Sequence, residues 1–153
     1  MDDLLIRQFE TADTAACLAL FDGNVPDFFA QAERDDFRTF LRSLPGLPYL
    51  VATRRGRVLA CGGYELHAGG TRAGLTWGMV DRGQQGMGIG RALTAARLAR
   101  LAEIPGLQEV RIETSQHTRG FYEGFGFTLI DLVPNGFGPG LDRCDMVLRF
   151  PRP

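Results

Sequence analysis

The sequence predicts one mixed α/β (α+β) domain, and three observations carry that prediction. Hydrophobic spacing alternates between the two-residue period of strands and the 3.6-residue period of helices. The resulting order is strand, two helices, three strands, helix, strand, helix, two strands, with glycine- or proline-rich breaks between elements. At 153 residues, with 44% hydrophobic and 23% charged residues, the chain has the make-up of an ordinary globular protein able to bury a sizeable core. No internal repeat or linker divides it, so the domain spans 1–153.

Leu4 to Phe9 reads as the first strand, and Thr11 to Phe21 as a helix carrying Leu18 and Phe21 on one side. Pro26 is placed at the first turn of a second helix, where its missing N–H costs nothing, and the helix runs to about Ser43 with Phe29, Phe37, Phe40 and Leu41 as apolar members. Pro45-Gly46-Leu47-Pro48 ends it. Three strands follow, Tyr49 to Thr53, Arg57 to Leu66 and Ala73 to Val80, joined by hairpin-like turns at Arg54-Arg55-Gly56 and His67-Ala68-Gly69-Gly70. Ile89, Ala92, Leu93, Ala96 and Ala99 then share one face of a helix stopped by Pro105-Gly106. Val110, Ile112 and Thr114 alternate with Arg111 and Glu113 in a further strand. A short helix is expected over about Thr118 to Phe125, although Gly120 and Gly124 each weaken it by ~1 kcal/mol relative to alanine. Strands at Phe127 to Val133 and Asp142 to Phe150 flank a predicted loop, Pro134-Asn135-Gly136-Phe137-Gly138-Pro139-Gly140.

The most informative stretch is Val80-Asp81-Arg82-Gly83-Gln84-Gln85-Gly86-Met87-Gly88-Ile89-Gly90-Arg91-Ala92-Leu93, between a strand and a helix. Alternating glycines let a ligand reach the backbone, and the first amides of a helix are unpaired at the positive end of its dipole. Together they form a seat for a phosphate or pyrophosphate. A dinucleotide G-x-G-x-x-G fails at Arg91 or Leu93, depending on the start, and no G-x-x-x-x-G-K-[ST] occurs. What fits is Q-x-x-G-x-G at Gln85, Gly88 and Gly90, which resembles the acetyl-CoA pyrophosphate loop of the GNAT N-acetyltransferase superfamily. About thirty residues on, His117-Thr118-Arg119-Gly120-Phe121-Tyr122-Glu123-Gly124-Phe125-Gly126-Phe127 resembles that family's second signature, a short helix with F-Y-E followed by x-x-G-F. The resemblance spans roughly residues 73 to 130, with a looser match outside.

This resemblance implies a GNAT-like mixed, mostly antiparallel sheet whose central strands splay apart and are flanked by helices. Splayed strands leave backbone groups that a ligand can pair with. In the family the pantetheine arm does so along the strand before the glycine loop, here around Met79 and Val80. The implied cosubstrate is acetyl-CoA, held by the backbone of Gln85, Gly86, Met87, Gly88, Ile89, Gly90 and Arg91. Met87 departs from the family, where lysine or arginine is frequent, which shifts the charge requirement to the amides or to Arg82, Arg91 or Arg119. Tyr122 is the implied general acid, since a phenol beside the sulfur can protonate the departing thiolate. For the base, the strand Leu75-Thr76-Trp77-Gly78 offers no carboxylate, which leaves Glu113 and His117 as candidates. Phe28, Phe29, Trp77 and Phe137 are candidate walls of the acceptor pocket.

Charge and composition narrow the partners. Seventeen arginines and no lysine oppose 18 acidic residues, net −1, without a basic block, so nucleic-acid binding is not indicated. Cys17, Cys61 and Cys144 form no C-x-x-C pair and read as buried idle thiols, with no metal site. The start of the chain has no signal-peptide pattern and no apolar run approaches a membrane span, so a cytoplasmic location is expected. The expected function is acyl-CoA-dependent N-acyl transfer, with acetyl as the default group, to a primary amine on a small molecule or peptide. It would proceed by direct attack in a ternary complex, because no cysteine lies in either motif. A homodimer is compatible with this reading. The alternatives are a catalytically silent CoA-binding or regulatory module of the same fold, and a nucleotide-binding domain that does not use CoA.

Overall fold

Residues 3–43 and 48–150 are described by the computed structural model; the predicted break at Pro45-Gly46-Leu47 lies outside them. Its elements are β1 (Leu4–Gln8), α1 (Thr14–Gly23), α2 (Arg34–Ser43), β2 (Tyr49–Arg54), β3 (Arg57–His67), β4 (Arg72–Val80), α3 (Ile89–Ala102), β5 (Glu109–Thr114), α4 (Arg119–Glu123), β6 (Thr128–Gly138) and β7 (Leu141–Arg149). The strands form one sheet in the order β1-β2-β3-β4-β5-β7-β6. All neighbours pair antiparallel except β4 and β5, which run parallel.

Alternation along the central strands divides the core between the two faces of the sheet. Tyr49, Val51, Cys61 and Met79 pack with Phe21, Phe37 and Leu41 of α1 and α2. Leu50, Ala52 and Ala60 pack instead with Ile89 and Leu93 of α3. Farther along, Leu101 joins Leu75, Val110, Ile112, Phe127 and Met146 around Tyr122 of α4. All three cysteines are buried and free. Cys17 and Cys61 lie together, and the Cys61 thiol beside it, followed by burial, pushes the Cys17 thiol well up.

Three elements differ from the sequence expectation, each because tertiary or side-chain bonds override local pattern. The second helix begins at Arg34, not Pro26. The Val25–Pro26 bond is cis, the amides of Phe28 and Phe29 both donate to the Asn24 carbonyl, and Ala30 is extended before a 3-10 turn at Gln31–Glu33. Phe29 is drawn onto Phe21 and Trp77, with ring centroids 5.1 and 6.1 Å away. The predicted loop after Val133 is largely strand, because β6 continues to Gly138 across an irregular register. Asparagine and aspartate side chains bridge the gap in that ladder: Asn135 N–H donates to Asp142 Oδ1, and Gly140 N–H donates to Asn135 Oδ1. On α3 the buried line is Ile89, Leu93, Thr94, Arg97 and Leu101, while Ala99 of the predicted face is exposed.

Candidate functional site

The site is built where β4 leaves β5. Only Arg72, Ala73 and Gly74 of β4 pair with β5. Beyond Gly74 that edge of β4 faces no strand among the described residues, which is the splay the resemblance implied. The opposite edge of β4 carries a bulge: between Cys61↔Met79 and Gly63↔Thr76 the β4 side has one extra residue. Trp77 takes up the distortion at φ +42, a left-handed conformation that costs a tryptophan of order 1–3 kcal/mol. Its surroundings hold it there. Tyr49 donates from its hydroxyl to the Trp77 carbonyl at 2.8 Å, and the indole lies 5.1 Å from Phe37 and 6.3 Å from Phe40. Burial pushes the Tyr49 phenol well above its ordinary range, so it remains a donor.

The glycine loop enters α3 through Gly88, the residue before the first turn, at φ +81. Only glycine takes that conformation freely, and a Cβ built on Gly88 would meet no atom within 4 Å. The space it would fill is the cavity. The first helical amides of α3, from Ile89 to Arg91, have no acceptor within the helix, since Ala92 N–H is the first to bond back, to the Gly88 carbonyl. Their geometry and chemistry suit a pyrophosphate. Gln85 donates from its side chain to Asn24 Oδ1, and Asn24 Nδ2 donates to the carbonyls of Leu20 and Val80. Asn24, buried and absent from the sequence reading, thus ties the end of α1 to the loop and caps the open edge of β4.

Tyr122 is positioned by the turn between β5 and α4. Ser115 accepts from the Thr118 and Arg119 amides through its carbonyl and from the His117 amide through Oγ, and the Thr114 and Thr118 hydroxyls bond to each other. Gly126, at φ +99, returns the chain into β6, as the G-F pair implied. The Tyr122 ring is buried edge-on against Phe121 and Phe127. Its hydroxyl makes no hydrogen bond among the described residues.

Two adjoining cavities meet at Phe28, Phe29, Gly78, Thr118 and Tyr122. The first, about 430 Å³, runs from Gly86, Gly88, Gly90 and Arg91 along Val80, Met79 and Gly78 to Tyr122. Met87 and Ile89 do not line it: Met87 is an exposed side chain, and the Ile89 side chain is core, leaving only its amide at the seat. Of the three candidate arginines, Arg82 is paired with Asp27 at 2.5 Å and Arg119 with Glu123 at 3.3 Å. Arg91 lines the cavity and forms no ion pair among the described residues, its guanidinium lying 5.9 Å from the Phe125 ring.

Arg97 was missed by sequence reasoning. It lines the same cavity, is 1% exposed and forms no ion pair among the described residues. It donates to the Gly63 carbonyl at 3.2 Å and more weakly to Thr94 Oγ1 at 3.4 Å, while its Nε has no partner. Gly62 and Gly78 make room for it, since a Cβ on either would stand 3.0 Å from the guanidinium.

The second cavity, about 190 Å³, is walled by Phe28, Phe29, Trp77, Phe137, Leu75 and Ile112. The four predicted acceptor walls are therefore brought together. Its charged side chains are Glu33 and Glu113. Desolvation pushes the Glu33 carboxyl up to about 7, outweighing a backbone bond at Ala30 that lowers it. Glu33 had no sequence signal, being placed by the extended Ala30 that broke the predicted helix. Glu113 lines this cavity, whereas His117 lines the first, its ring edge-on to Phe28 at 5.8 Å. The two base candidates thus stand in different lobes. The lining charges segregate too: two arginines and no carboxylate in the first cavity, two carboxylates and no cation in the second.

The same architecture recurs in known structures. The ribosomal-protein-S18-alanine N-acetyltransferase of Escherichia coli superposes with a TM-score of 0.78 at 20% identity, covering 98% of this chain and 96% of that one. Ard1 of Thermoplasma volcanium gives 0.78 at 23% identity, covering 97% and 98%. An aminoglycoside 6'-N-acetyltransferase crystallised with coenzyme A gives 0.77 at 16% identity, covering 97% and 99%. At these identities the likeness is one of fold. No curated protein matches the sequence. Residues 45–129, more than half of the chain, match the Acetyltransferase (GNAT) domain. Both the glycine loop and the Tyr122 segment fall inside that match, and the chain belongs to the GNAT acetyltransferase family.

Proposed function

We propose that this protein is an acyl-CoA-dependent N-acyltransferase that moves an acetyl group from acetyl-CoA to a primary amine by direct attack in a ternary complex. The observation that carries the reading is the charge segregation of two cavities that meet at Tyr122. The donor is a polyanion and suits the lobe with the α3 amides, Arg91 and Arg97. The acceptor arrives as an ammonium and suits the lobe with Glu33 and Glu113. The pyrophosphate would be held by the amides from Gln85 to Arg91, with Gly88 leaving it room, and the pantetheine arm would follow the open edge of β4 along Met79. The structural neighbour crystallised with coenzyme A supports the same assignment.

The chemistry follows from the placement. A carboxylate in the acceptor lobe would take one proton from the ammonium, and the free amine attacks the thioester carbonyl. The sulfur leaves with the electron pair of the broken C–S bond, and the second nitrogen proton is lost as the amide forms, balancing the one that the sulfur gains. Tyr122 O–H donates to that sulfur as charge develops. Calorimetric titration tests the donor assignment: acetyl-CoA and CoA bind and NAD does not. Equal binding of NAD, or no binding of acetyl-CoA well above micromolar concentration, refutes it. Acceptor-dependent thiol release then separates an enzyme from a CoA-binding module.

A further inference from the structure

The acceptor lobe restricts what can occupy it. Its walls are two phenylalanines of the α1–α2 segment, Phe28 and Phe29, and Trp77 of β4, with Phe137 of β6 and the aliphatic Leu75 and Ile112. At about 190 Å³ it is smaller than a typical drug-sized pocket. The segment that supplies two of its walls is held by its own neighbours: Phe28 meets His117, and a Cβ on Gly138 would stand 3.4 Å from Ala30 Cβ. Among the described residues its lining offers no arginine or histidine that could pair with an acid group on the ligand. Aromatic faces with carboxylates attract an ammonium through ring quadrupoles and direct pairing.

Building on the acyltransferase reading, we propose that the acceptor is a small primary monoamine with an apolar, arylalkyl or alkyl body and no acid group beside the nitrogen, and that Glu33 receives its ammonium. Glu33 forms no ion pair among the described residues, because Arg34 beside it is taken by Asp22 at 2.7 Å. The charged group that acts on it is Asp36 on α2, and Glu113 on β5 and Tyr122 on α4 line the same lobe. An amino acid would set its own carboxylate against Glu33 and Glu113 with nothing to neutralise it. A polyamine would have to bury additional charges among phenyl rings.

The test compares acceptors of matched body. Initial rates of thiol release with saturating acetyl-CoA are measured for 2-phenylethylamine, hexylamine, phenylalanine, spermidine and a pentapeptide beginning with phenylalanine, using the intact chain. Expected is a kcat/KM for 2-phenylethylamine and hexylamine at least a hundredfold above phenylalanine and above spermidine and the peptide. Glu33→Gln should lower kcat/KM for 2-phenylethylamine at least tenfold and remove the rise in its pH profile near 7, with acetyl-CoA affinity unchanged. Glu33→Asp, which keeps the carboxylate, should recover part of the loss and the pH dependence. A preference for phenylalanine or spermidine overturns the proposal, and a preference for the peptide makes the lobe a chain-binding groove instead. If acetyl-CoA binds and none of the amines is acylated, the acceptor proposal fails while the donor assignment stands; if acetyl-CoA does not bind, both fall.

Discussion

Gly88→Ala separates two roles that one glycine performs. Its φ of +81 is a left-handed conformation, and adding a Cβ there costs about 1–2 kcal/mol of strain whatever the space. For a chain of this length that is roughly 2–8 °C in Tm. The same Cβ meets no protein atom within 4 Å, so nothing in the folded chain is displaced by it. It enters the cavity beside the α3 amides. Losing one hydrogen bond to a charged group there costs about 1.5–3 kcal/mol, a ten- to hundredfold loss of CoA affinity. Gly106 supplies the control, because it has φ +83, an equally open Cβ direction, and a place in the turn between α3 and β5 away from both cavities. Gly106→Ala should therefore lower Tm by a similar amount and bind CoA as the parent does. Calorimetry on both variants, with Tm measured in parallel, reads the two effects independently. Equal CoA affinity in the two variants would refute the placement of the pyrophosphate at Gly88.

Three further outcomes follow from side chains around the same site. Tyr122→Phe keeps the buried ring and removes only the hydroxyl, so acetyl-CoA affinity should hold while single-turnover acyl transfer falls by roughly 10²–10⁴-fold; an unchanged rate removes Tyr122 from the mechanism. Glu33 titrates from 4.5 in the unfolded chain to about 7 in the folded one, so between these values only the folded state keeps the proton and stability drops as pH rises. Glu33→Gln should accordingly match the parent Tm below pH 4.5 and exceed it above pH 7, and a constant difference across that window contradicts the burial of the carboxyl. Gly62→Ala pushes a Cβ to 3.0 Å from the Arg97 guanidinium and 3.2 Å from the Gly78 backbone, which should cost about 1–3 kcal/mol of overpacking. Arg97→Met in the same chain should restore part of the lost Tm, and an undiminished Tm in the single variant would mean that Arg97 does not occupy the space between Gly62 and Gly78.

Local signals made some of this architecture readable and left the rest to tertiary contacts. The glycine loop and the Tyr122 segment are legible because their function needs particular backbone conformations, at Gly88 and at Gly126, which few residues provide. The succession of strands and helices along the chain was readable from alternation and the turn residues. The α1–α2 segment was not, because Phe28, Phe29 and Pro26 fit a helical pattern until Phe29 is pulled onto Trp77 across the sheet. Glu33 owes its place in the acceptor lobe to that same break. Arg97 was hidden for a different reason: a charge on a helix is expected to face water, and only the pairing of Gly62 with Gly78 in space makes a buried seat for it. Asn24 is equally silent in sequence, since its three side-chain hydrogen bonds join segments as far apart as Leu20 and Gln85.

These hidden residues have a common consequence for the proposed chemistry. Acyl transfer to an amine begins with a cation in one lobe and ends with negative charge on sulfur near the other. Fixed charges help only where charge changes, and they help most where water is excluded. In the proposed reaction Glu33 and Glu113 would stand where the ammonium loses its proton, and desolvation raises the Glu33 carboxyl to about 7, where a carboxyl can both accept and release a proton. Arg97 stands against Gly78, one of the residues shared by both cavities, and brings a positive charge with no ion-pair partner among the described residues. Burying an uncompensated guanidinium is costly for the fold. Donation to the Gly63 carbonyl, beside the bulge at Trp77, offsets part of that cost. The strained backbone and the buried cation therefore adjoin Gly78, which lines both cavities together with Tyr122.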